Sequence, residues 1–375
     1  METKRQQKSG LAAIYSLCPL GHCLALLSGA VILLHLITRG NHALMERLSE
    51  RLIRPMHRSL ASLTAYLPFS LAELVITLLV LGNLLYIGRG LLLFLRKKGD
   101  RATAYRMLIT PLTSVLTIYA LFCAMWGPFF YGDDFTTRAG LSETPVSVEE
   151  LAAVTEYFAA LANEYSGLVS RDEQGICTVD RQAVLSRSAH IFDAVEESFP
   201  SLAGPDVEVK PIFFSRIRSY LDFTGFFFPI TGEANVNMDF PPSLFASTVA
   251  HEISHQRGVA REEEANFVAV LASLESGDAD YVYSAALLAY THLGNALYEA
   301  DYDVWLEIYH SLDDFVLMDF AQNRGYWQQF ESPVQTVSNT VYEGFLHSYD
   351  QHLGLKSYGA CVDLLVNYYY DTVKN

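Results

Sequence analysis

Charged side chains are scarce in this sequence, and their scarcity excludes an ordinary soluble enzyme of this size. Of 375 residues, 18% are charged and 51% are hydrophobic, whereas soluble domains have about 25% charged residues. Up to residue 130 there are 14 Lys and Arg against 5 Asp and Glu, and from residue 131 onward the counts are 12 and 37. We therefore expect two different environments, and the acidity of the second region argues against nucleic acid as a partner.

Cysteines are also few, and the sequence lacks internal repeats, low-complexity tracts and a glycine-rich loop of the kind that cradles phosphate groups. Cys18, Cys23 and Cys123 lie in apolar runs, which leaves Cys177 and Cys361 as one potential disulfide. Their geometry cannot be inferred from the sequence. The cysteines therefore indicate little about the fold.

Three long apolar runs lie before residue 131. They cover residues 11–38, 71–95 and 108–130. About 20 apolar residues span a bilayer as a helix. A cleaved signal peptide is a poorer interpretation of the first run, because its apolar core is too long and no convincing cleavage site is present. We therefore predict that residues 1–130 form an α-helical membrane domain with three transmembrane helices.

Basic residues between these runs predict the orientation. The loop RKKGDRATAYR after the second run contains five Lys and Arg, so the positive-inside rule places it in the cytoplasm. Residues 131–375 then lie outside the cytoplasmic membrane of a multi-pass protein. Residues 41–66 carry arginines at spacings of three and four, which predicts an amphipathic helix on a membrane surface, although these arginines then lie outside, against the rule. Glu73 is expected to reach the lipid headgroups from the end of the second span.

The main polar motif of the C-terminal region is HEISH, residues 251–255. Residues four apart share one helix face, so His251 and His255 can present two imidazoles to one metal ion with Glu252 beside them. This is the arrangement of zinc hydrolases, in which zinc lowers the pKa of a bound water to about 7 and the glutamate takes its proton. The alternative is a surface helix that carries these residues by chance. That alternative does not explain the acidic cluster and the apolar run that follow the motif.

A third metal ligand is required, and three consecutive acids are available shortly after the motif. Gly258 can end the first helix in a left-handed turn, so Glu262, Glu263 or Glu264 can fold back toward the histidines. The spacing alone leaves the choice among these three acids open.

The strings HEISHQRGVAREEEANF and TGEANVN resemble a bacterial family of uncharacterised membrane proteins that are regarded as zinc metallopeptidases, and the resemblance covers most of the chain. The acidic segment is also similar to the third-ligand helix of gluzincin peptidases, in which a ligand Glu precedes an Asn or Asp by four residues. The resemblance implies Glu262 as the third ligand and Asn266 as its companion. Many gluzincins have a longer insertion before this helix, and Glu264 is therefore kept as the second choice.

The rest of the C-terminal region is predicted to be mainly helical with a small sheet. Residues 207–237 mix aromatic and β-branched residues with Gly and Pro, which indicates short strands and turns. In zincins a strand upstream of the metal helix borders the cleft, and this similarity suggests TGEANVN as the cleft-lining part, although a purely structural sheet fits equally well. Glu233 is either a polar group of the cleft or a cap for backbone amides.

Helices are predicted at most of the remaining positions. They cover residues 147–167, 181–199, 262–275, 278–299, 301–318, 333–353 and 356–370. The stretch NTVYEGFLHSYDQHLGLKSYG (residues 339–359), which contains His347 and Tyr349, also resembles a shared part of the same family, which suggests that one of its polar groups stabilises an oxyanion. The expected fold is a three-span anchor followed by a mainly α, α+β zincin-like metallopeptidase domain.

The predicted function is a membrane-anchored zinc metallopeptidase that acts on a peptide or protein substrate outside the cytoplasmic membrane, with the lipid bilayer as its other partner. His251, His255 and Glu262 hold Zn²⁺, and Glu252 is the general base. The alternative is a non-catalytic zinc-binding sensor or assembly protein, which would tolerate the loss of Glu252. An intramembrane protease is disfavoured because the motif lies about 120 residues beyond the third span, in a charged segment.

Overall fold

The protein is mainly helical, with one three-stranded sheet in the part that the structure describes. The structure is a computed structural model, and it describes residues 10–141, 144, 146–349 and 358–374. The N-terminal region (residues 1–130) supplies long apolar helices, and the C-terminal region (residues 131–375) supplies the sheet and a large buried core.

Three helices of the N-terminal region are long and apolar enough to cross a membrane. They are α2 (Pro19–Thr38, 20 residues), α5 (Leu71–Leu95, 25 residues) and α6 (Arg101–Met125, 25 residues). Most of their large apolar side chains are not covered by protein, as Leu85 at 74% exposure and Leu95 at 79% exposure illustrate. Such surfaces are favourable in contact with lipid. The prediction of three candidate membrane-spanning helices is confirmed.

The boundaries of two spans differ from the prediction. The first apolar run is divided, because a short helix, α1 (Gly10–Tyr15), ends before Pro19 begins α2. Proline lacks an amide hydrogen and is favoured in the first turn of a helix. The third helix begins earlier than predicted, at Arg101, and the predicted final residues of this span instead form a 3₁₀ turn, Gly127–Phe130.

The arginine-rich segment after α2 packs one of its faces against the C-terminal region. It comprises α3 (His42–Leu48), a π-helical turn (Ser49–Ile53) and α4 (Arg54–Thr64). Arg54 is buried, pairs with Glu50 at 2.7 Å and donates to the carbonyls of Ser201 and Arg257. The surface-helix prediction was therefore wrong for Arg54, because its carbonyl partners are about 150 and 200 residues away in the sequence and no local pattern reveals them.

The C-terminal region contains the other helices. They are α7 (Phe135–Ala139), α8 (Val148–Ser166), α9 (Arg181–Arg187), α10 (Asp193–Ser198), α11 (Ser215–Tyr220), α12 (Phe245–Gln256), α13 (Glu262–Ser276), α14 (Ala279–Ala300), α15 (Tyr302–His310), α16 (Asp314–Gln328), α17 (Pro333–Ser348) and α18 (Tyr358–Lys374). Ser147 and Glu150 cap α8 reciprocally, because each side chain accepts a hydrogen bond from the other's backbone amide. The helices predicted over residues 181–199 and 301–318 are each interrupted.

The main hydrophobic core joins α8, α12, α13, α14 and α18. Phe158, Val268 and Leu293 are fully buried in it. Cys177 and Cys361 are also buried there, and all five cysteines of the chain lie in described residues and are free. The potential disulfide is therefore not formed. This core supports α12 and α13, the two helices that carry the predicted metal ligands.

The sheet consists of β1 (Lys210–Ile212), β2 (Gly225–Phe228) and β3 (Glu233–Asn237) in the order β1-β3-β2. Strand β3 is central, pairs in parallel with β1 and antiparallel with β2, and is buried along its whole length. The suggestion that TGEANVN lines the cleft was therefore wrong, because the backbone of its strand is occupied on both sides. Strands β1 and β2 are the two edge strands.

Glu233 joins the sheet to the second span. Its carboxylate accepts hydrogen bonds from the amides of Leu71 at 3.0 Å and Ala72 at 2.7 Å, in the first turn of α5. The first amides of a helix have no partner within the helix, and a negative charge is favourable there. Of the two predicted roles for Glu233, the structure therefore has the cap.

Glu73 makes a similar contact in the opposite direction, from the second span to the C-terminal region. Its side chain accepts from the amides of Phe213 and Phe214, both at 2.8 Å, and is only 8% exposed. The expectation that this carboxylate reaches the headgroups was wrong, because the neighbouring loop offers two backbone donors. Together, Glu73 and Glu233 fix the sheet to the start of the second span.

The Glu233→Ala variant is expected to lose about 2 kcal/mol of unfolding free energy, because two amide donors at the start of α5 lose their acceptor. The apparent Tm of the full chain in lipid nanodiscs should fall by several degrees. The control is Glu149→Ala, which removes an exposed acid from the first turn of α8. Equal Tm values for the two variants would contradict the role assigned to Glu233.

Candidate metal centre

Two consecutive helices bring three predicted ligands together. His251 and His255 lie one turn apart on α12, and their ring centroids are 4.6 Å apart. Helix α12 ends at Gln256, and Gly258 has a φ of 87°. Glycine adopts this left-handed conformation without a steric penalty. The chain therefore turns back sharply, and α13 begins at Glu262 next to the two imidazoles.

The distances among these side chains fit a metal site. The Nε2 atoms of His251 and His255 are 3.0 Å apart, and Glu262 Oε2 lies 3.3 Å from His251 Nε2 and 3.6 Å from His255 Nε2. Two ligand atoms bound to zinc at about 2.0–2.1 Å in tetrahedral geometry are about 3.4 Å apart. The three side chains are thus already arranged with the separations that a tetrahedral ion requires.

The other ring nitrogens determine which way the imidazoles face. His251 Nδ1 lies 2.8 Å from Asn266 Oδ1, and His255 Nδ1 lies 2.7 Å from the carbonyl oxygen of Val259. Because both partners are acceptors, Nδ1 donates in each case, and the lone pair of a neutral imidazole is left on Nε2. Asn266 was expected to accompany Glu262, and its contact is instead with His251.

The structure distinguishes among the three acids. Glu262 Oε1 accepts a hydrogen bond from the Tyr342 hydroxyl at 2.7 Å, while its Oε2 faces the histidines. Glu264 instead accepts from the amides of Phe135 and Thr136. Glu263 is buried and does not belong to the cluster. Among the described residues, only Glu262 of these three acids has an oxygen within reach of both imidazoles.

Glu252 lies beside this cluster and is only 4% exposed. Its Oε2 has no hydrogen-bond partner among the described residues. A Cβ atom at Gly225 would lie 2.5 Å from Glu252 Oε1, so any larger residue at position 225 would displace the carboxylate. Because glycine has no side chain, Gly225 leaves the space that the Glu252 carboxylate occupies.

Burial and mutual charge shift the pKa values of this cluster. Burial raises the pKa of Glu252 to about 8, with His255 opposing the shift and Glu262 adding to it. Burial works against the charged form of His255, but the neighbouring carboxylates raise its pKa to about 9. Burial also opposes ionisation of Glu262, yet the imidazoles hold its pKa well below the usual value. The two carboxylates therefore favour a positive charge beside them, and either a protonated imidazole or a bound cation would supply that charge.

The cluster lines a cavity of about 300 Å³ that both regions of the chain enclose. One wall is the turn before β2 together with β2 itself, and another is α17. A third wall comes from the end of the third span and the turn that follows it, through Phe122, Trp126 and Phe130. The Trp126 ring lies edge-on to His255, with centroids 6.2 Å apart. Residues of a candidate membrane span thus form part of the site.

Three candidate membrane spans fit a membrane protein, and the His-His-Glu cluster beside them is a candidate metal site. The sequence profile of a family described as "Protein of unknown function (DUF3810)" matches residues 49–366, and the chain belongs to this family. The match includes the second and third spans and the whole cluster. No curated protein and no solved structure shows significant similarity to the chain. The zincin fold and the peptidase activity stay predictions.

Several residues of the site were not identified from the sequence. Tyr342 lies 80 positions after its partner Glu262, and the aromatic residues at the end of α6 were interpreted only as parts of a span. The stretch named for an oxyanion role does contribute Asn339 and Tyr342 to the cavity. His347 is exposed and Tyr349 is buried against Cys123, and neither lines the cavity. His352 of the same stretch lies outside the described residues.

The Asn266→Ala variant is expected to bind zinc about 10 to 100 times more weakly, because the His251 ring loses the acceptor that fixes its orientation and proton position. Zinc affinity can be measured on the full chain by competition with a chromophoric chelator. The control is Asn295→Ala, which changes an exposed asparagine of α14. Unchanged affinity in the Asn266 variant would show that this contact does not orient a ligand.

Proposed function

We propose that the protein is a membrane-anchored zinc hydrolase of peptide bonds. One observation carries the proposal: three ligand atoms of His251, His255 and Glu262 lie 3.0–3.6 Å apart, and a buried glutamate with an unpartnered oxygen lies beside them. Two imidazoles and one carboxylate are the protein ligands of many catalytic zinc sites, which keep a further position open. When bound there, zinc would lower the pKa of a water molecule and polarise the scissile carbonyl group.

Glu252 is the general base in this proposal. Its Oε2 is free to accept a proton from the attacking water, and the same carboxyl group then delivers that proton to the leaving amine. A pKa raised to about 8 by burial makes Glu252 a stronger base than an exposed glutamate. A bound zinc ion would oppose this shift and lower the pKa of Glu252 towards the operating pH, where proton transfer in both directions is efficient.

Strand β2 is the part of the cavity best suited to hold a peptide. It is an edge strand of the sheet, and residues 223–227 line the same cavity as the cluster, whereas β1, the other edge strand, does not. An extended peptide can add to a sheet edge through main-chain hydrogen bonds. Gly225 brings the backbone close to Glu252, so a peptide paired there would pass near the general base.

The proposed location is the cytoplasmic membrane, with the metal centre on its outer side. The loop between α5 and α6 carries three Lys and Arg, and Arg101 and Arg106 follow at the start of α6; these five basic residues favour retention of this end of the two spans in the cytoplasm. Helix α6 then leads outward, and the cavity lies at its C-terminal end. The excess of acids in the C-terminal region is compatible with export, since it is basic loops that resist translocation.

The Glu252→Gln variant is expected to keep about one zinc ion per chain and to lose hydrolysis by at least about 100-fold, because the amide cannot accept the proton. Zinc content by elemental analysis and cleavage of a quenched peptide library should be measured together. The full chain in detergent or nanodiscs is required, because residues before 131 build one wall of the cavity. Glu275→Gln, an exposed acid of α13, is the matched control.

Each contrary result has a separate meaning. Absence of bound zinc in the wild-type protein would contradict the assignment of the metal centre. Zinc bound by the wild-type and Glu252→Gln proteins, with no hydrolysis by either, would favour the non-catalytic sensor or assembly protein. Hydrolysis retained in the Glu252→Gln variant would contradict the role of this side chain.

A further inference from the structure

An apolar groove leaves the metal cavity along α17. It has a volume of about 700 Å³ and shares Phe223, Tyr342 and Phe345 with the cavity. Its outer part is formed by Val334, Val337 and Val341, which are 57%, 63% and 67% exposed. Their spacing of three and four residues places them on one helix face. The groove therefore continues the site as an apolar surface that the described residues do not cover.

One end of this groove rests on the third span. The Phe345 ring packs edge-on against Phe122 of α6, with centroids 4.9 Å apart. One turn further along, the Tyr349 ring lies 5.0 Å from that of Phe130, and its hydroxyl is 3.3 Å from Cys123 Sγ of α6. The C-terminal end of α17 is thus fixed at the level where α6 ends, and its other end extends away from this contact.

The metal ligands lie very close to this contact along the groove. Tyr342, which donates to Glu262, precedes Phe345 by one helical turn, which corresponds to about 5 Å. An extended polypeptide advances about 3.3 Å per residue. A chain that emerges from the bilayer beside α6 and follows α17 would therefore pass the metal ligands within roughly its first five residues.

We propose that the groove binds the membrane-proximal segment of a membrane-anchored polypeptide. This inference rests on the proposed hydrolase and names its substrate class: the bond to be cut lies within the first few residues beyond the substrate's own membrane span. Apolar side chains of that segment pack on the three valines of α17. A polypeptide is favoured over a lipid chain because the groove opens into the cavity that β2 lines, and the edge of this strand offers backbone hydrogen bonds that a lipid chain cannot form.

Photocrosslinking tests this assignment without requiring hydrolysis. The Glu252→Gln protein is placed in lipid nanodiscs with p-benzoylphenylalanine at Val337, or at Val148, an exposed valine of α8 outside the groove. Three probes are compared. The first is a pool of eight randomised residues joined directly to a 20-residue Leu/Ala helix, the second has a 12-residue Gly/Ser spacer at the junction, and the third is the pool without the helix.

At each position, the crosslinking yield of the directly anchored pool is divided by that of the free pool. This anchored-to-free ratio should be at least about 10 times higher at position 337 than at position 148. The comparison with position 148 corrects for the higher concentration of anchored peptide at the bilayer surface. The spacer should reduce the yield severalfold. Val341→Asp should also reduce the yield at position 337, because the bound segment would cover the new carboxylate and remove its hydration. Val148→Asp should have no effect. The inference would be overturned if the ratio of anchored to free crosslinking were the same at positions 337 and 148, or if the spacer had no effect.

Hydrolysis by the wild-type protein separates this inference from the proposed function. If the anchored pool crosslinks at position 337 as expected and is not cleaved, the hydrolase fails and the binding groove stands. If the free pool and the pool with the spacer are cleaved as fast as the directly anchored pool, the hydrolase stands and the substrate assignment fails.

Discussion

The reversal of the chain at Gly258 is the constraint on which the candidate metal centre depends. Only a tight left-handed turn brings Glu262 back to the two histidines. The carbonyls at this turn are held by arginines, since Arg54 donates to Arg257 and Arg138 donates to Gly258. Both guanidinium groups pair with Glu50. Cations at a helix C-terminus are favourable because the last carbonyls carry partial negative charge. A segment that joins two spans therefore stabilises the turn that creates the cluster.

This dependence connects the two regions of the chain. Glu73 and Glu233 fix the sheet to the second span, and the end of the third span provides a wall of the cavity. The family match across residues 49–366 extends over both regions. The predicted boundary at residue 130 separates segments of different composition, and the contacts across it build the site. In this protein the spans position the residues of the site as well as anchoring them.

Burial gives the cluster its electrostatic character. In water, two imidazoles and two carboxylates would interact weakly, but the low polarity around Glu252 and Glu262 strengthens each interaction. Burial raises the pKa of Glu252, while the imidazoles lower that of Glu262. Two neighbouring acids thus differ in their readiness to hold a proton, and shifted pKa values of this kind cluster at functional sites.

The sequence by itself determined the elements whose causes are local. The spans follow from apolar runs, the placement of His251 and His255 on one face follows from the helical period, and the turn follows from a glycine. Only the tertiary structure decided which side chains meet: Glu262, and neither Glu263 nor Glu264, beside both imidazoles, Asn266 beside His251, Tyr342 on Glu262, Glu73 on a loop instead of the headgroups, and Phe122 in the cavity wall. Helical and strand patterns are set by neighbours within a few residues. A contact between residues 80 or more positions apart, such as that of Tyr342 with Glu262, depends on how whole helices pack. The sequence near either residue therefore does not predict it.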